Sequence, residues 1–321
     1  MTENAKKREK IFNVFSSQLN TLNSGNLLPS KYKNLKFDKT YVCPICLVQF
    51  SRDDLNTEIE NFLTLEDAPQ KSLGGKANTL TCKKCNNTCG AEIDFHLVEG
   101  VHKQDRKHFL PNTTGRVKFS ISKGEQVQGE YSVNDAGVIT VEHSTKNNNP
   151  AKLSYHIDNI RKDSIVILEH KASKVDEKKL EVALLKTAYI LAFEKFGYSI
   201  ILDECFDIVR EQLLKPNNEI YPEGFWTRQE VFTEKHEGLH LIKINEGVGL
   251  FCVFPLKTQS STKRFGVYLP LPKEDTEKTI KTLKNMQKDS PLTLYPLSSD
   301  FIHNFQKTEE IIKDIKAQNK K

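Results

Sequence analysis

Two CxxC pairs constrain this chain more than anything else in it. Cys43-Pro44-Ile45-Cys46 and Cys82-Lys83-Lys84-Cys85 are separated by residues 47–81. Each pair brings two thiolates to one side of a tight turn. Two pairs complete a tetrahedral set and leave no position for water. The spacing predicts a structural Zn2+ ion. The other three cysteines read differently. Cys89 is expected to be an inert helical thiol, and Cys205 and Cys252 sit in apolar patterns of core type.

Composition sets the background. A length of 321 residues suggests about two domains. A hydrophobic content of 37% excludes a wholly disordered chain. No apolar run approaches the roughly 20 residues that span a bilayer, so no membrane partner is expected. The start, MTENAKKREK, lacks the apolar stretch of a secretory signal, which points to a cytoplasmic protein. In that compartment cysteines are more often metal-binding, catalytic or inert than disulfide-bonded. A net charge of +5 permits a nucleic-acid partner without demanding one.

Patterning divides the chain further. Ile11, Phe12, Val14, Phe15, Leu19 and Leu22 have helical spacing, so residues 1–40 read as an amphipathic helix with a basic start and a lysine-bearing linker. Residues 51–62 look like an acidic helical stretch. From Thr114 the pattern alternates, predicting strands at 116–122, 127–133 and 137–143, with a turn at Asn134–Gly137. Residues 146–150 read as a polar linker and 164–170 as a buried strand. Residues 176–196 are the strongest helical pattern, with Gly197 as its stop. A short strand at 198–202 and a helix at 203–214 follow. A hairpin at 239–245 and 248–256 and a strand at 265–271 come next. Helices at 276–287 and 298–317 close the chain.

The residues between and just after the cysteine pairs carry more. Glu66, Pro69, Leu73-Gly74-Gly75, Asn78, Cys82, Cys85 and Asn86 occur in that order. Gly90-Ala91-Glu92-Ile93-Asp94 then reads as a closing helix. This combination resembles the zinc-supported branch of the HNH endonuclease family, which has the ββα-metal fold. The resemblance covers about residues 41–100, under a third of the chain. It implies a metal-dependent nuclease that cleaves nucleic-acid phosphodiesters, as in bacterial restriction or anti-phage defence. In the family, an acid and the residue after the last cysteine hold one divalent metal, and a His next to the acid activates water. Here Asp67 stands where that His would be.

The substitution changes the chemistry that the resemblance implies. A neutral imidazole suits the base role because its pKa lies near working pH. An aspartate, with a reference pKa near 3.9, is a weaker base unless its surroundings raise it. Two adjacent carboxylates make a harder site suited to Mg2+ or Mn2+. Glu66, Asp67 and Asn86 are therefore the implied ligands of that ion. Asp67 doubles as base and Asn78 orients the loop. Successive strand residues point to opposite faces, so Glu66 and Asp67 can share an ion only where the strand ends or bulges. His96 is the alternative base. The other reading is a degenerate module that only binds nucleic acid or a partner.

Remaining motifs carry less. Lys71, Lys76, Lys83 and Lys84, with the basic start Lys6, Lys7, Arg8 and Lys10, are candidate phosphate contacts. Glu169-His170-Lys171 at a strand end also looks like a PD-(D/E)xK nuclease site, but such tripeptides are common as solvated charge. His236 and His240 have i, i+4 spacing, though Gly238 argues against a helix there. Phe225-Trp226 is expected to anchor a loop on the core. The expected architecture is α+β, with four parts. They are the N-terminal helix and linker (1–40), a zinc-bound ββα-metal, HNH-like module (41–101), a larger mixed α/β domain (112–272) and C-terminal helices (273–321). DNA is expected ahead of RNA as partner, within a homo-oligomer or a larger defence complex.

Overall fold

A computed structural model of the chain describes residues 2–32, 37–121, 125–144, 146–170, 174–244, 247–271, 274–285, 293–297, 301 and 310. Helix α1 (Glu3–Ser24) starts where the Thr2 hydroxyl accepts the Ala5 amide, and it buries Ile11, Phe12, Phe15, Leu19 and Leu22. Strands β1 (Tyr41–Val42) and β2 (Gln49–Phe50) then pair antiparallel. Strands β3 (Leu63–Ala68) and β4 (Lys76–Cys82) form an antiparallel hairpin that leads straight into helix α2 (Lys83–Cys89). A π turn at Gly90–Asp94 joins α2 to α3 (Phe95–Lys107). After it come β5 (Thr114–Ile121), β6 (Val127–Val133), β7 (Ile139–His143), α4 (Pro150–Asn159) and β8 (Val166–His170). The rest is α5 (Glu177–Phe196), α6 (Tyr198–Ile201), α7 (Asp207–Leu214), β9 (Trp226–Thr227), β10 (Gly238–Ile244), β11 (Gly247–Lys257), β12 (Thr262–Leu269), α8 (Thr276–Asn285) and β13 (Thr293–Pro296).

Compactness groups the chain differently from the expected boundaries at 41–101 and 112–272. One unit takes the residues up to 97, 176–256 and those from 263 on. The other takes 98–175 and 257–262. The cysteine-bearing segment thus shares its unit with the far half of the chain.

In the larger unit α5 is the central element. Val182 to Ile190 are buried on every side, as are Ala192, Phe193 and Phe196. A helix apolar all round is one that neighbours enclose. It packs on β3, β4 and the π turn. Phe15 of α1 stacks at 4.5 Å on Phe193, and Tyr41 and Tyr198 complete an aromatic cluster. A five-stranded sheet of order β13-β10-β11-β12-β9 completes this unit. Its β10–β11 hairpin is where the alternation predicted one.

The smaller unit holds an antiparallel sheet of order β7-β6-β5-β8. Along β6, Val127, Tyr131 and Val133 point inward and Gln128, Glu130 and Ser132 outward, the period of two that the sequence predicted. Val117, Phe119, Val127, Tyr131 and Val133 form its core.

Five local expectations are corrected. The strand expected to be buried at 164–170 is β8, a sheet edge that leaves Val166 and Ile167 exposed. Residues 51–62 hold a single 3-10 turn, Arg52–Leu55, and no α-helix. Residues 198–201 are helical rather than a strand, because the chain re-enters a helix directly after Gly197. The linker at 146–150 ends inside α4, with Asn149 capping its first turn and Pro150 at its first position. The helix expected at 203–214 begins as a separate 3-10 turn, Glu204–Phe206. The helix expected at 298–317 lies outside the described residues, apart from positions 301 and 310.

Candidate functional site

The cysteine cluster is built by two elements. Cys43 and Cys46 lie in the β1–β2 turn, where Leu47 takes a left-handed conformation (φ 58°) and returns its amide to the Cys43 carbonyl. Cys82 ends β4 and Cys85 sits in the first turn of α2. The four sulfurs all lie within 4.8 Å of one another. Cys46 Sγ and Cys82 Sγ are 3.8 Å apart. That equals the sulfur separation of a tetrahedral ion with bonds near 2.3 Å, about 3.8 Å. Backbone amides of Cys82 and Cys85 point at Cys43 Sγ and Cys82 Sγ, both at 3.4 Å. Burial pushes the Cys43 thiol well up, so four thiolates together need a cation such as zinc to offset their charge. Among the described residues, this is the only place where three or more His, Cys, Asp or Glu ligand atoms converge.

The cluster is bolted to its unit by tyrosines. Tyr189 of α5 donates to the Pro44 carbonyl at 2.6 Å, and Tyr198 donates to the Val42 carbonyl at 2.7 Å. Tyr41 donates to the Leu80 carbonyl at 2.7 Å. Cys89, Cys205 and Cys252 stand apart from the metal cluster. Burial pushes the Cys89 thiol up to about 12, which makes it inert.

The β3–β4 hairpin carries the other expected residues. Its turn explains the Leu73-Gly74-Gly75 run. Gly74 is left-handed (φ 86°), and a Cβ on Gly75 would lie 1.5 Å from the Pro69 carbonyl oxygen. The register pairs Glu66 with Thr79 and Asp67 with Ala77, so Asn78 is the extra residue of a bulge. The bulge re-aims Asn78, whose amide donates to Glu194 Oε1 at 2.8 Å. Asp67 is half-buried. Burial raises its carboxyl pKa, the Glu66 charge adds to that, and Lys71 and Lys7 oppose it.

Glu66 itself is enclosed, only 2% exposed. Its Oε1 lies 2.6 Å from Lys186 Nζ, and the same ammonium lies 2.6 Å from Asp94 Oδ2. Its Oε2 accepts from the Thr81 hydroxyl at 2.7 Å and from Asn86 Nδ2 at 3.1 Å. Lys186 is also 2% exposed. Burial alone would lower its pKa, but Glu66 and Asp94 outweigh burial and hold the ammonium charged. Asp94 comes from the π turn and Lys186 from the buried face of α5, a residue that sequence reading passed over. A lone lysine inside Leu184-Leu185-Lys186-Thr187-Ala188 is the signal that could have found it.

This arrangement bears on the implied divalent ion. Both Glu66 oxygens are already engaged, and Asn86 Nδ2 donates to Glu66 and to the Leu65 carbonyl at 3.3 Å, which leaves the amide oxygen as the atom that could hold an ion. Any ion at Glu66 would have to displace or share the Lys186 ammonium. Glu66 is arranged as an ion-paired acid.

The remaining candidates resolve simply. His96 Nδ1 accepts the Asp176 amide at 3.0 Å beside the start of α5. Lys71, Lys76 and Lys84 are exposed and Lys83 is half-buried. The Lys83 ammonium lies 5.2 Å from the Phe62 ring centre, and the Arg8 guanidinium 5.9 Å from it. Glu169 accepts from Gln126 at 3.0 Å, and Lys171 is outside the described residues. His240 Nε2 lies 2.7 Å from the His236 carbonyl oxygen, so the two rings do not face one ligand. Phe225 is buried, as an anchor should be.

No family model, curated protein or solved structure matches this chain. Among the described residues, no helix is long and apolar enough to cross a membrane.

Proposed function

We propose that residues 41–100 are a zinc-held, HNH-like ββα module that binds nucleic acid without hydrolysing it. The observation that carries this reading is the Lys186 ammonium, 2.6 Å from both Glu66 and Asp94. In the resembled family a divalent ion occupies the corresponding acid. A lysine supplies a positive charge there but has no vacant coordination position. It can neutralise the acid, yet it cannot bind water and lower its pKa as a metal does. Zinc at Cys43, Cys46, Cys82 and Cys85 holds the hairpin and α2 in place.

Lys71, Lys76 and Lys84 are exposed on or beside that hairpin and can meet phosphates, while Lys83 would first leave the Phe62 ring. DNA ahead of RNA follows from the resemblance alone. The test is binding of short duplexes as a function of salt. Neutralising each contacting phosphate contributes about 0.9 to the log–log salt slope on B-form DNA. Replacing these lysines by alanine should therefore flatten the slope stepwise. Absence of binding to any nucleic acid at low salt overturns the reading.

One observation favours the nuclease reading instead. The hairpin does bulge between Glu66 and Asp67, and Asp67 has the raised carboxyl pKa that a base there would need. In that reading Asp67 acts as the base and Lys186 must release Glu66 before an ion can bind.

A further inference from the structure

The smaller unit contains a pair of imidazoles that its packing leaves unpaired. His143 ends β7 on the inner face of the sheet, opposite Gly129. His156 comes from α4, which packs on β5 and β6. Their ring centres are 5.2 Å apart with planes at 72°. Phe119 packs 5.0 Å from each. A Cβ on Gly129 would lie 2.3 Å from the Glu142 carbonyl oxygen and 2.4 Å from the Phe119 ring, so glycine is what lets that ring approach the strand.

His156 is 2% exposed. The Nε2 atoms of both rings are buried, and neither has a hydrogen-bond partner among the described residues. Buried polar atoms are almost always paired, and leaving two adjacent ones unpaired forfeits their hydration with no return. A hydrophobic pair at these positions would avoid that loss. Two imidazoles bound through nitrogen to one tetrahedral ion at 2.0–2.1 Å have ring centres about 5 Å apart. The observed 5.2 Å matches that separation, which ordinary edge-to-face ring packing shares, so the two unpartnered Nε2 atoms carry the argument.

We propose that His143 and His156 form a second metal site, distinct from the four-cysteine cluster, which takes a late first-row divalent cation such as Zn2+, Ni2+ or Cu2+ through Nε2. Imidazole suits these ions, and their affinities rise toward Cu2+. With two imidazoles the site supplies half of a tetrahedral ligand set, where the thiolate cluster supplies all four.

The test loads the full chain with one equivalent of zinc, then titrates it with Ni2+ or Cu2+. The wild type should bind one ion more than the double variant His143→Phe and His156→Phe, which keeps two aromatic rings in place. Imidazole nitrogen NMR on the wild type resolves which rings respond and does not depend on the variant folding. Perturbation at the Nε2 of His143 and His156 supports the site. Equal binding by wild type and double variant, or perturbation confined to other histidines, overturns it.

Discussion

Lys186 Nζ and Glu66 Oε1 lie 2.6 Å apart with both side chains 3% exposed, a charge pair that joins the central helix α5 to the hairpin of the cysteine module. Coupling of this kind is asymmetric. The assembled pair contributes little net stability, but removing one partner strands the other's charge in a low-dielectric interior. Lys186→Met should destabilise the chain by about 3–5 kcal/mol. Adding Glu66→Gln should recover part of that loss, because one of the two stranded carboxylates is gone while Asp94 remains. Urea denaturation of the two single variants and the double variant measures the coupling. Strict additivity would show that the two residues are not energetically linked.

The cysteine cluster predicts a stoichiometry and a dependence. The chain should hold one tightly bound zinc ion at Cys43, Cys46, Cys82 and Cys85. Cys82→Ser should lose it and melt at lower temperature, since a structural ion contributes its binding free energy to folding. Elemental analysis alongside calorimetry checks both. A Cys82→Ser chain that stays folded and zinc-loaded contradicts the assignment. Cys252→Ser, buried but outside the cluster, should leave zinc content unchanged.

The smaller unit should weaken in acid. Burial lowers the His170 pKa below its usual value, and the Arg106 charge lowers it further. A basic group depressed in the fold binds protons more readily when unfolded, so stability rises with pH. The contribution is complete above the unfolded value near 6.5 and declines as pH falls through that value and below it. Amide hydrogen exchange of β5 and β6 from neutral to mildly acid pH should show progressive loss of protection. His170→Phe, which retains ring packing against Phe109 and Tyr131, should flatten the profile in part, because burial and the neighbouring His143 depress His156 of the same unit in the same direction.

How much of this was legible in the sequence depends on whether the partners are local. The CxxC pairs announce their ligand geometry, because each pair is a short turn and the structure gathers all four sulfurs. Strands β5, β6 and β7 are legible because half-buried strands alternate. Helix α5 is legible in its apolar pattern, yet the partners of its buried Lys186 are not. Lys186 finds Glu66 and Asp94 only through tertiary packing across about a hundred residues, and no local pattern encodes that pairing. Helix α4 was hidden for a different reason. Asn149-Pro150 reads as a turn in isolation, although it is also a helix cap followed by a first-turn proline. The bulge at Asn78 left no signal beyond the polar residue itself.

The most direct measurement is hydrolysis itself. Zinc-loaded chain is incubated with supercoiled plasmid and with structured RNA in Mg2+ and in Mn2+, beside Glu66→Ala, Asp67→Ala and Asp67→His. No metal-dependent cleavage is expected from the wild type or from any variant, with nucleic-acid binding retained by the wild type, because the Glu66 carboxylate is committed to Lys186. Cleavage by the wild type that disappears in both Glu66→Ala and Asp67→Ala would contradict that expectation.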